Sequence, residues 1–218
     1  MQEPLHTAPC WRCGNPDAAS PFCHYCNTLQ PPVPDYFLFF GIPKQLSIDA
    51  AGLQKRFYEL SRQLHPDRFV RGQELERRYS LEATALLNDG YRILKDPVLR
   101  SELILRENGF DIGEQRSKDV PPELLEEVFE LNMALDELRG GDDDALDSLR
   151  ASRSHFEALR AQIDTEMESD FRKHDAAQGE EARREVLGHL RGLLNRRRYI
   201  QNLLREVDKE LETRATQT

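Results

Sequence analysis

Apolar residues in the first half of the chain recur at helical spacing and then stop at a proline. One amphipathic stripe is predicted by residues that are separated by four, three and four positions: Leu53, Phe57, Leu60 and Leu64. His65-Pro66-Asp67 follows at once, and a proline is not tolerated in a helix interior. The pattern therefore predicts a helix that ends in a short exposed turn, which presents an imidazole and a carboxylate.

A second helical pattern runs from Glu74 to about Lys95 and ends at Asp96-Pro97. Its apolar positions are Leu86, Leu87, Tyr91 and Leu94. We therefore expect two antiparallel helices with His-Pro-Asp at the tip. Basic side chains lie off the apolar stripe of the first helix and beside the turn: Lys55, Arg56, Arg62 and Arg68.

Three more amphipathic stretches follow a break between Asn108-Gly109 and Pro121-Pro122. The first starts at Leu124 and ends before Gly140-Gly141, with apolar residues at 124, 128, 131, 135 and 138. The second follows Asp142 to Asp144, where negative charge suits a helix N-terminus, and its apolar positions are Leu146, Leu149, Phe156, Leu159, Ile163, Met167 and Phe171. The third is interrupted only at Arg197 and contains Val186, Leu190, Leu193, Ile200, Leu204, Val207 and Leu211. Short connections between them predict an antiparallel three-helix bundle.

Some apolar residues of this half lie off the predicted core face. Leu125 and Phe129 each follow a core position by one residue, which rotates them about 100° around the helix, and Met133 continues the same stripe four residues further on. Tyr199 stands in the same relation to Ile200, on its other side. Such residues are either singly exposed or part of an interaction patch, and they could also pack against the N-terminal hairpin.

The four cysteines of the chain are Cys10, Cys13, Cys23 and Cys26, two Cys-x2-Cys pairs separated by nine residues. This spacing supplies the four thiolates of a tetrahedral structural zinc site, and Gly14 gives the first pair a permissive turn. Trp11 and Tyr25 are expected to pack around the site, and His24 to be a bystander.

Three other interpretations of the cysteines are two disulfides, a redox pair and a rubredoxin-like iron site. Disulfides need an oxidising compartment, and no secretory signal is visible at the N-terminus. Spacing does not fully separate zinc from iron. The role of the module is also open: it could stabilise the N-terminus, form a contact in a homodimer or bind a partner.

Charge and composition exclude some classes of function. The net charge is -9, and only 12 of the 30 Lys and Arg and 12 of the 39 Asp and Glu precede residue 103, so the acidic excess lies in the C-terminal half. Nucleic-acid binding is not expected, because phosphate contacts need an excess of Lys and Arg. No apolar run is long enough to span a bilayer, so no membrane association is expected. No P-loop, nucleophile elbow or dinucleotide fingerprint occurs, which disfavours an enzyme built on Ser61, His65 and Asp67.

The N-terminal half resembles a J-domain, the part of a co-chaperone that triggers ATP hydrolysis by a DnaK-type chaperone. The resemblance is carried by Asp35-Tyr36-Phe37 before Gly41-Ile42-Pro43, by Phe57 to Phe69 (FYELSRQLHPDRF), and by Leu87 to Pro97 (LNDGYRILKDP). A tetracysteine module, such a hairpin and a three-helix bundle together resemble the HscB family of iron-sulfur co-chaperones, in its longer, zinc-bearing form.

The family resemblance implies an all-α chain with three parts: a zinc module (1–31), a J-domain (35–107) and a scaffold-binding bundle (120–213). It implies two partners, the scaffold protein IscU and the DnaK-like chaperone HscA. Chaperone contacts are expected at His65, Pro66, Asp67, Lys55, Arg56, Arg62 and Arg68, and scaffold contacts at Leu125, Phe129 and Tyr199. The bacterial family members are expected in the cytoplasm and the eukaryotic ones in the mitochondrial matrix.

The sequence departs from the family pattern at two positions. Glu126 stands where an apolar residue is usual, which weakens the scaffold patch or shifts its edge. Gly90 replaces the usual Ala inside the second hairpin helix, at a propensity cost of up to about 1 kcal/mol. A rival interpretation is a general J-protein with a different client, and another is a nucleic-acid-binding zinc ribbon, which the acidic balance disfavours.

Overall fold

The computed structural model describes residues 9–16, 20–112, 124–140 and 145–215, and the side chains of all of these except Arg139 and Ala215. Within them the regular structure is α-helical, as the sequence predicts, and the β-structure is limited to two isolated bridges. The helices are α1 (Tyr36–Phe40), α2 (Ala50–Leu64), α3 (Glu74–Lys95), α4 (Pro97–Glu107), α5 (Leu125–Arg139), α6 (Ala145–Ala176) and α7 (Glu180–Ala215). The chain divides into two compact units, Met1–Leu103 and Ile104–Thr218.

The α2–α3 hairpin matches the prediction from the apolar periodicity. Helix α2 ends at Leu64, α3 runs from Glu74 to Lys95, and their facing positions are buried. Phe57 is only half-buried, and its ring stacks on Tyr91 with centroids 4.3 Å apart. Leu53, Leu60, Leu64, Leu87 and Leu94 form the shared core.

Helix α4 was not predicted from the sequence, because Pro97 follows the end of α3 and is also the first residue of α4. The Asp96 carboxylate accepts hydrogen bonds from the backbone N–H groups of Val98 (2.8 Å) and Leu99 (3.0 Å), and proline at the first helical position lacks a donor that would otherwise be unpaired. Arg100 fastens α4 from the inside. Its side chain is buried and donates to the carbonyls of Leu46 and Leu94.

The second unit contains the three predicted bundle helices. Helix α6 packs against both α5 and α7, and the pairs Arg153–Asp208 and Asp164–Arg197 together show that α6 and α7 run antiparallel. The predicted apolar positions are buried, apart from Val128, Leu146, Leu159, Val186 and Leu211, which are half-buried. The predicted acidic N-terminus of α6, Asp142 to Asp144, lies outside the described residues, as does most of the break before α5.

Arg197 interrupts the heptad of α7 because it pairs with a carboxylate on α6. Its Nε lies 2.6 Å from Asp164 Oδ1, and a second guanidinium nitrogen lies 3.5 Å from Oδ2. The pair is part of a row of polar contacts between the two helices that also contains Arg153–Asp208 and Arg196–Glu166. The described helices contain no segment that is long and apolar enough to cross a membrane.

Candidate metal centre and docking surfaces

The His-Pro-Asp turn is a short 3-10 helix, Pro66–Phe69, which begins where α2 stops. Nδ1 of His65 accepts a hydrogen bond from the backbone N–H of Asp67 (3.3 Å) and lies 3.6 Å from Asp67 Oδ2. The side chains of His65 and Asp67 are 55% and 86% exposed. With Nδ1 accepting this bond, Nε2 is the ring nitrogen that can donate to another molecule. The turn therefore offers a donor and a carboxylate to another molecule.

The backbone in front of the turn is held from α3. The buried Ser80 hydroxyl donates to the carbonyl of Leu64 at 2.7 Å, and the Thr84 hydroxyl approaches the same carbonyl at 3.4 Å. Leu64 is the last residue of α2, so its carbonyl has no partner within that helix. These two contacts fix the end of α2 one residue before His65. Sequence analysis did not identify Ser80 or Thr84, although two hydroxyl residues four positions apart on an apolar face are a detectable signal.

The four expected basic residues fall into two groups. Lys55, Arg62 and Arg68 have exposed side chains around the outer face of α2 and the turn. Arg56 is half-buried instead: its Nε donates to the Phe40 carbonyl at 3.1 Å and its guanidinium lies 3.4 Å from Glu59. Arg56 therefore ties α2 to the end of α1, and its place in a chaperone contact stays a prediction.

The two Cys-x2-Cys pairs fold into two similar turns. In the first turn the N–H of Gly14 donates to the Cys10 carbonyl, and in the second the N–H of Asn27 donates to the Cys23 carbonyl, both at 2.9 Å. Gly14 (φ +72°) and Asn27 (φ +54°) both adopt the left-handed conformation, which glycine and asparagine tolerate best. The duplicated turn aims all four thiols at one point.

The four sulfur atoms form a compact cluster. Each lies within 4.8 Å of the other three, with 3.6 Å between the sulfurs of Cys10 and Cys26 and 3.7 Å between those of Cys13 and Cys23. A disulfide would need about 2.05 Å, whereas four bonds of about 2.3 Å to a tetrahedral ion separate the sulfurs by about 3.8 Å. The donor set therefore fits a metal ion held by four thiolates, and His24 is not part of the cluster.

Local hydrogen bonds favour the thiolate form of two cysteines. Burial raises the pKa of Cys10, but hydrogen bonds from the backbone N–H groups of Cys13 and Arg12 outweigh it and lower the pKa to about 6. The hydroxyl of Thr28, 3.3 Å from the sulfur, lowers the pKa of Cys26. Trp11 is half-buried, and its indole N–H donates to the Leu29 carbonyl at 2.7 Å. The expectation for Tyr25 was wrong: its ring is 65% exposed, because it extends from the tip of the second turn.

The apolar residues off the core face of α5 are exposed. Leu125, Phe129 and Met133 are 56%, 64% and 48% exposed, and we call these three residues the outer stripe. Tyr199 on α7 is half-buried, and burial followed by the negative charge of Glu206 raises its pKa.

The Arg214 guanidinium on α7 donates to the carbonyl of Leu138 near the C-terminal end of α5, so the C-terminal ends of these two helices lie together.

Carboxylates surround the outer stripe. Glu126 and Glu130 are exposed next to it, and a groove of α5 and α6 beside Met133 is lined by Glu127, Glu130, Glu137, His155 and Phe156, among others. Glu127 Oε1 lies 3.8 Å from Nε2 of His155. The surface is thus an apolar stripe within an acidic border, which favours a partner surface that is apolar at its centre and basic at its edge.

Similar proteins are known, although no family model matches the chain. Co-chaperone protein HscB homologs from two strains of Vibrio vulnificus are 38% identical over 110 residues, which is 50% of this chain and 64% of the Vibrio proteins. The iron-sulfur cluster co-chaperone protein HscB of Mus musculus is 28% identical over 200 residues, covering 89% of this chain and 79% of the mouse protein. The match to the crystal structure of human co-chaperone protein HscB covers 92% of this chain and 97% of the human chain, with a TM-score of 0.69 and 25% identity.

The chain is therefore similar to HscB co-chaperones over most of its length. The HscB chaperone of Vibrio cholerae shares the fold, with a TM-score of 0.57 at 23% identity over 82% of this chain. The match spans less than two thirds of the Vibrio vulnificus proteins, so the partners and activity of a complete HscB protein are proposals for this chain. The residue roles expected from the HscB resemblance also remain predictions.

Proposed function

We propose that this chain is an HscB-type co-chaperone, which binds the iron-sulfur scaffold protein IscU and delivers it to the DnaK-like chaperone HscA. Its His-Pro-Asp turn would stimulate the ATPase activity of HscA, and this stimulation would promote cluster transfer and the maturation of iron-sulfur proteins. The observation that carries the proposal is that one chain presents two kinds of exposed surface. These are a polar turn braced by Ser80 and an apolar outer stripe bordered by carboxylates.

In this proposal the His-Pro-Asp turn acts on the conformation of the chaperone. His65 and Asp67 would engage polar and charged groups of HscA and favour its hydrolysis-competent state, which is a population shift and not phosphoryl transfer by this chain. The exposed side chains of Lys55, Arg62 and Arg68 would attract an acidic surface of the chaperone. Association should therefore weaken as salt increases.

The outer stripe and Tyr199 would bind the scaffold. Truncating a central hot-spot side chain of an interface costs more than about 1 kcal/mol. Removing both Leu125 and Phe129, which are more than half exposed, should therefore weaken scaffold binding by about thirtyfold. Glu126 replaces an apolar residue at the edge of this surface, so the contact would centre on Phe129.

We propose zinc as the ion at the four cysteines. With Cys10, Cys13, Cys23 and Cys26 as ligands, all four positions are filled by the protein, so a bound zinc would cross-link the two turns structurally. Metal analysis of the purified protein should find one zinc per chain. Iron held by four thiolates would instead give a coloured, redox-active protein.

The decisive experiment measures the steady-state ATPase rate of HscA with and without IscU. Wild-type protein should stimulate the rate, and IscU should increase the stimulation further. His65→Gln should abolish the effect, whereas Gln63→Ala, an exposed change on the last turn of α2, should retain it. The triple variant Leu125→Ala/Phe129→Ala/Tyr199→Ala should keep direct stimulation and lose the synergy with IscU.

A matched control for the triple variant is Leu81→Ala, because Leu81 is 60% exposed but lies on α3, outside the outer stripe. It should keep the synergy. Stimulation without synergy in the wild-type protein would favour the rival function, a general J-protein with another client. Absence of stimulation of any DnaK-type chaperone would contradict the proposal altogether.

A further inference from the structure

The cysteine module contacts the hairpin at the start of α3. The rings of Trp11 and Tyr79 meet edge to face with centroids 6.2 Å apart, and the Arg12 guanidinium lies 4.0 Å from the Glu76 carboxylate. Both Trp11 and Arg12 lie between the first two cysteines. The module and the hairpin also fall within the same compact unit of the chain.

A second contact lies behind the module. Pro21 and Leu29 line a narrow enclosed space together with Phe39 of α1 and Ala83 of α3. Leu29 and Phe39 are almost fully buried. The segment that follows, Pro31 to Pro34, therefore starts from a packed position.

On the hairpin side, the contacted residues support the His-Pro-Asp turn. The Glu76 side chain accepts a hydrogen bond from the backbone N–H of Gln73 at 3.0 Å and so caps the N-terminus of α3. Tyr79 is followed directly by Ser80, whose hydroxyl holds the carbonyl of Leu64 in front of His65. The module therefore contacts the helix segment that fixes the end of α2.

On the module side, the same residues depend on the cysteine turns. The Trp11 indole N–H donates to the Leu29 carbonyl at 2.7 Å, and Arg12 donates to the Thr28 hydroxyl at 3.1 Å, so each joins the first turn to the second. The Gln30 amide donates to the Cys10 sulfur at 3.3 Å. A metal ion that clamps the four sulfurs would thus fix the positions of Trp11 and Arg12 as well.

We infer that the partner of the cysteine module is the hairpin of its own chain, and that metal binding and hairpin stability are thermodynamically linked. Zn²⁺ would stabilise the first two turns of α3, and through Ser80 the end of α2. By reciprocity, loosening this contact on the α3 side weakens Zn²⁺ binding at the cysteines. The inference rests on the proposed zinc site. It gives the module a role, which the sequence left open between stabilising the N-terminus, a homodimer contact and binding a partner.

The test compares two substitutions on the same helix of the full chain. Tyr79→Ala removes the ring that contacts Trp11, and Leu81→Ala removes an exposed side chain two residues further on. Zn²⁺ affinity is measured by competition with a chromophoric chelator. Because an aromatic pair contributes about 0.5–1.5 kcal/mol beyond its buried area, Tyr79→Ala should bind Zn²⁺ about three- to tenfold more weakly. Leu81→Ala should bind like the wild type.

Hydrogen exchange followed by mass spectrometry gives the converse measurement. The reference is wild-type protein saturated with Zn²⁺ at a concentration far above its Kd. Relative to it, the α3 amides of the metal-free protein should exchange about tenfold faster or more. Amides of α6 and α7 should not change, which makes them an internal control. In Tyr79→Ala the effect of Zn²⁺ on α3 should shrink.

Two results would overturn the inference. One is equal Zn²⁺ affinity in both variants together with α3 exchange that ignores the metal. The other is failure of the wild-type protein to bind Zn²⁺, which would remove the metal proposal as well. Neither measurement contains HscA or IscU, so a failure here is distinct from a failure of the proposed co-chaperone function.

Discussion

Replacing Gly90 by alanine should destabilise the hairpin, although helix propensity alone predicts the opposite. Gly90 lies inside α3 and is buried. A Cβ atom at this position would lie 2.8 Å from Cδ1 of Tyr36 and 2.9 Å from Cε2 of Phe40. Carbon atoms in contact normally lie about 3.5–4.0 Å apart, so one or both rings would have to move by about 0.6 Å or more.

The two opposing effects can be compared. Alanine gains up to about 1 kcal/mol over glycine in a helix interior. Overpacking a filled core typically costs about 1–3 kcal/mol. The Phe40 side chain is almost fully buried, so its ring has little room to yield. We expect a net loss of about 1 kcal/mol in the free energy of unfolding of the hairpin.

Hydrogen exchange measures this loss separately for each part of the chain. A loss of about 1 kcal/mol makes the slowest α3 amides of Gly90→Ala exchange about fivefold faster. Gly188→Ala is the matched control, because Gly188 also lies inside a helix but has open space around a new Cβ atom. Its α7 amides should exchange about fivefold more slowly. Slower α3 exchange in Gly90→Ala would refute the argument and show that the rings of α1 adapt freely.

Three further results are expected. Ser80→Ala leaves the Leu64 carbonyl with only the long contact to Thr84. The substitution should therefore lower the free energy of opening of α3, measured by hydrogen exchange, by about 1–2 kcal/mol, and Thr84→Ala should lower it less. The lowered pKa of Cys10, from 9.0 to about 6, stabilises the folded module above pH 9, and this contribution is lost as the pH falls through 6. Zn²⁺ affinity measured from pH 8 to 5 should therefore fall more steeply below pH 6 than above it, and an unchanged slope across pH 6 would contradict the assignment. The pKa of Tyr199 is raised above 10.0, so its contribution to bundle stability is present below pH 10 and is lost above it. In alkaline unfolding experiments the wild-type protein should therefore lose stability faster than Tyr199→Phe as the pH rises. Parallel curves of stability against pH for the two proteins would argue against a half-buried phenol.

Most of the fold could be predicted from sequence because its helices are strongly amphipathic. The limits of α3 and the core faces of α6 and α7 follow directly from apolar periodicity. Helix α4 was not predicted, because Pro97 by itself indicates only the end of α3. The same two residues also form a helix start, in which Asp96 caps the N-terminus and Pro97 is the first helical residue. The interruption at Arg197 is explained only by Asp164, a partner 33 residues away on another helix.

The functional residues divide in the same way. The cysteine spacing and the outer stripe are local patterns, and sequence analysis identified both. Arg56 looked like its basic neighbours, yet the structure binds it to the Phe40 carbonyl. The contact of Trp11 with Tyr79 joins segments that are distant in sequence and share no periodicity, so no local pattern could reveal it.

The acidic border of the outer stripe also affects how copies of this chain behave toward one another. Leu125, Phe129 and Met133 are apolar enough to associate with the same surface of a second copy. At neutral pH, Glu126 and Glu130 would bring like charges together in such a pair, and the net charge of -9 adds a general repulsion. Near the sequence pI of about 5.3, or in high salt, this repulsion fades while the apolar attraction remains. In the proposed co-chaperone the carboxylates would thus oppose self-association through the outer stripe while no partner is bound.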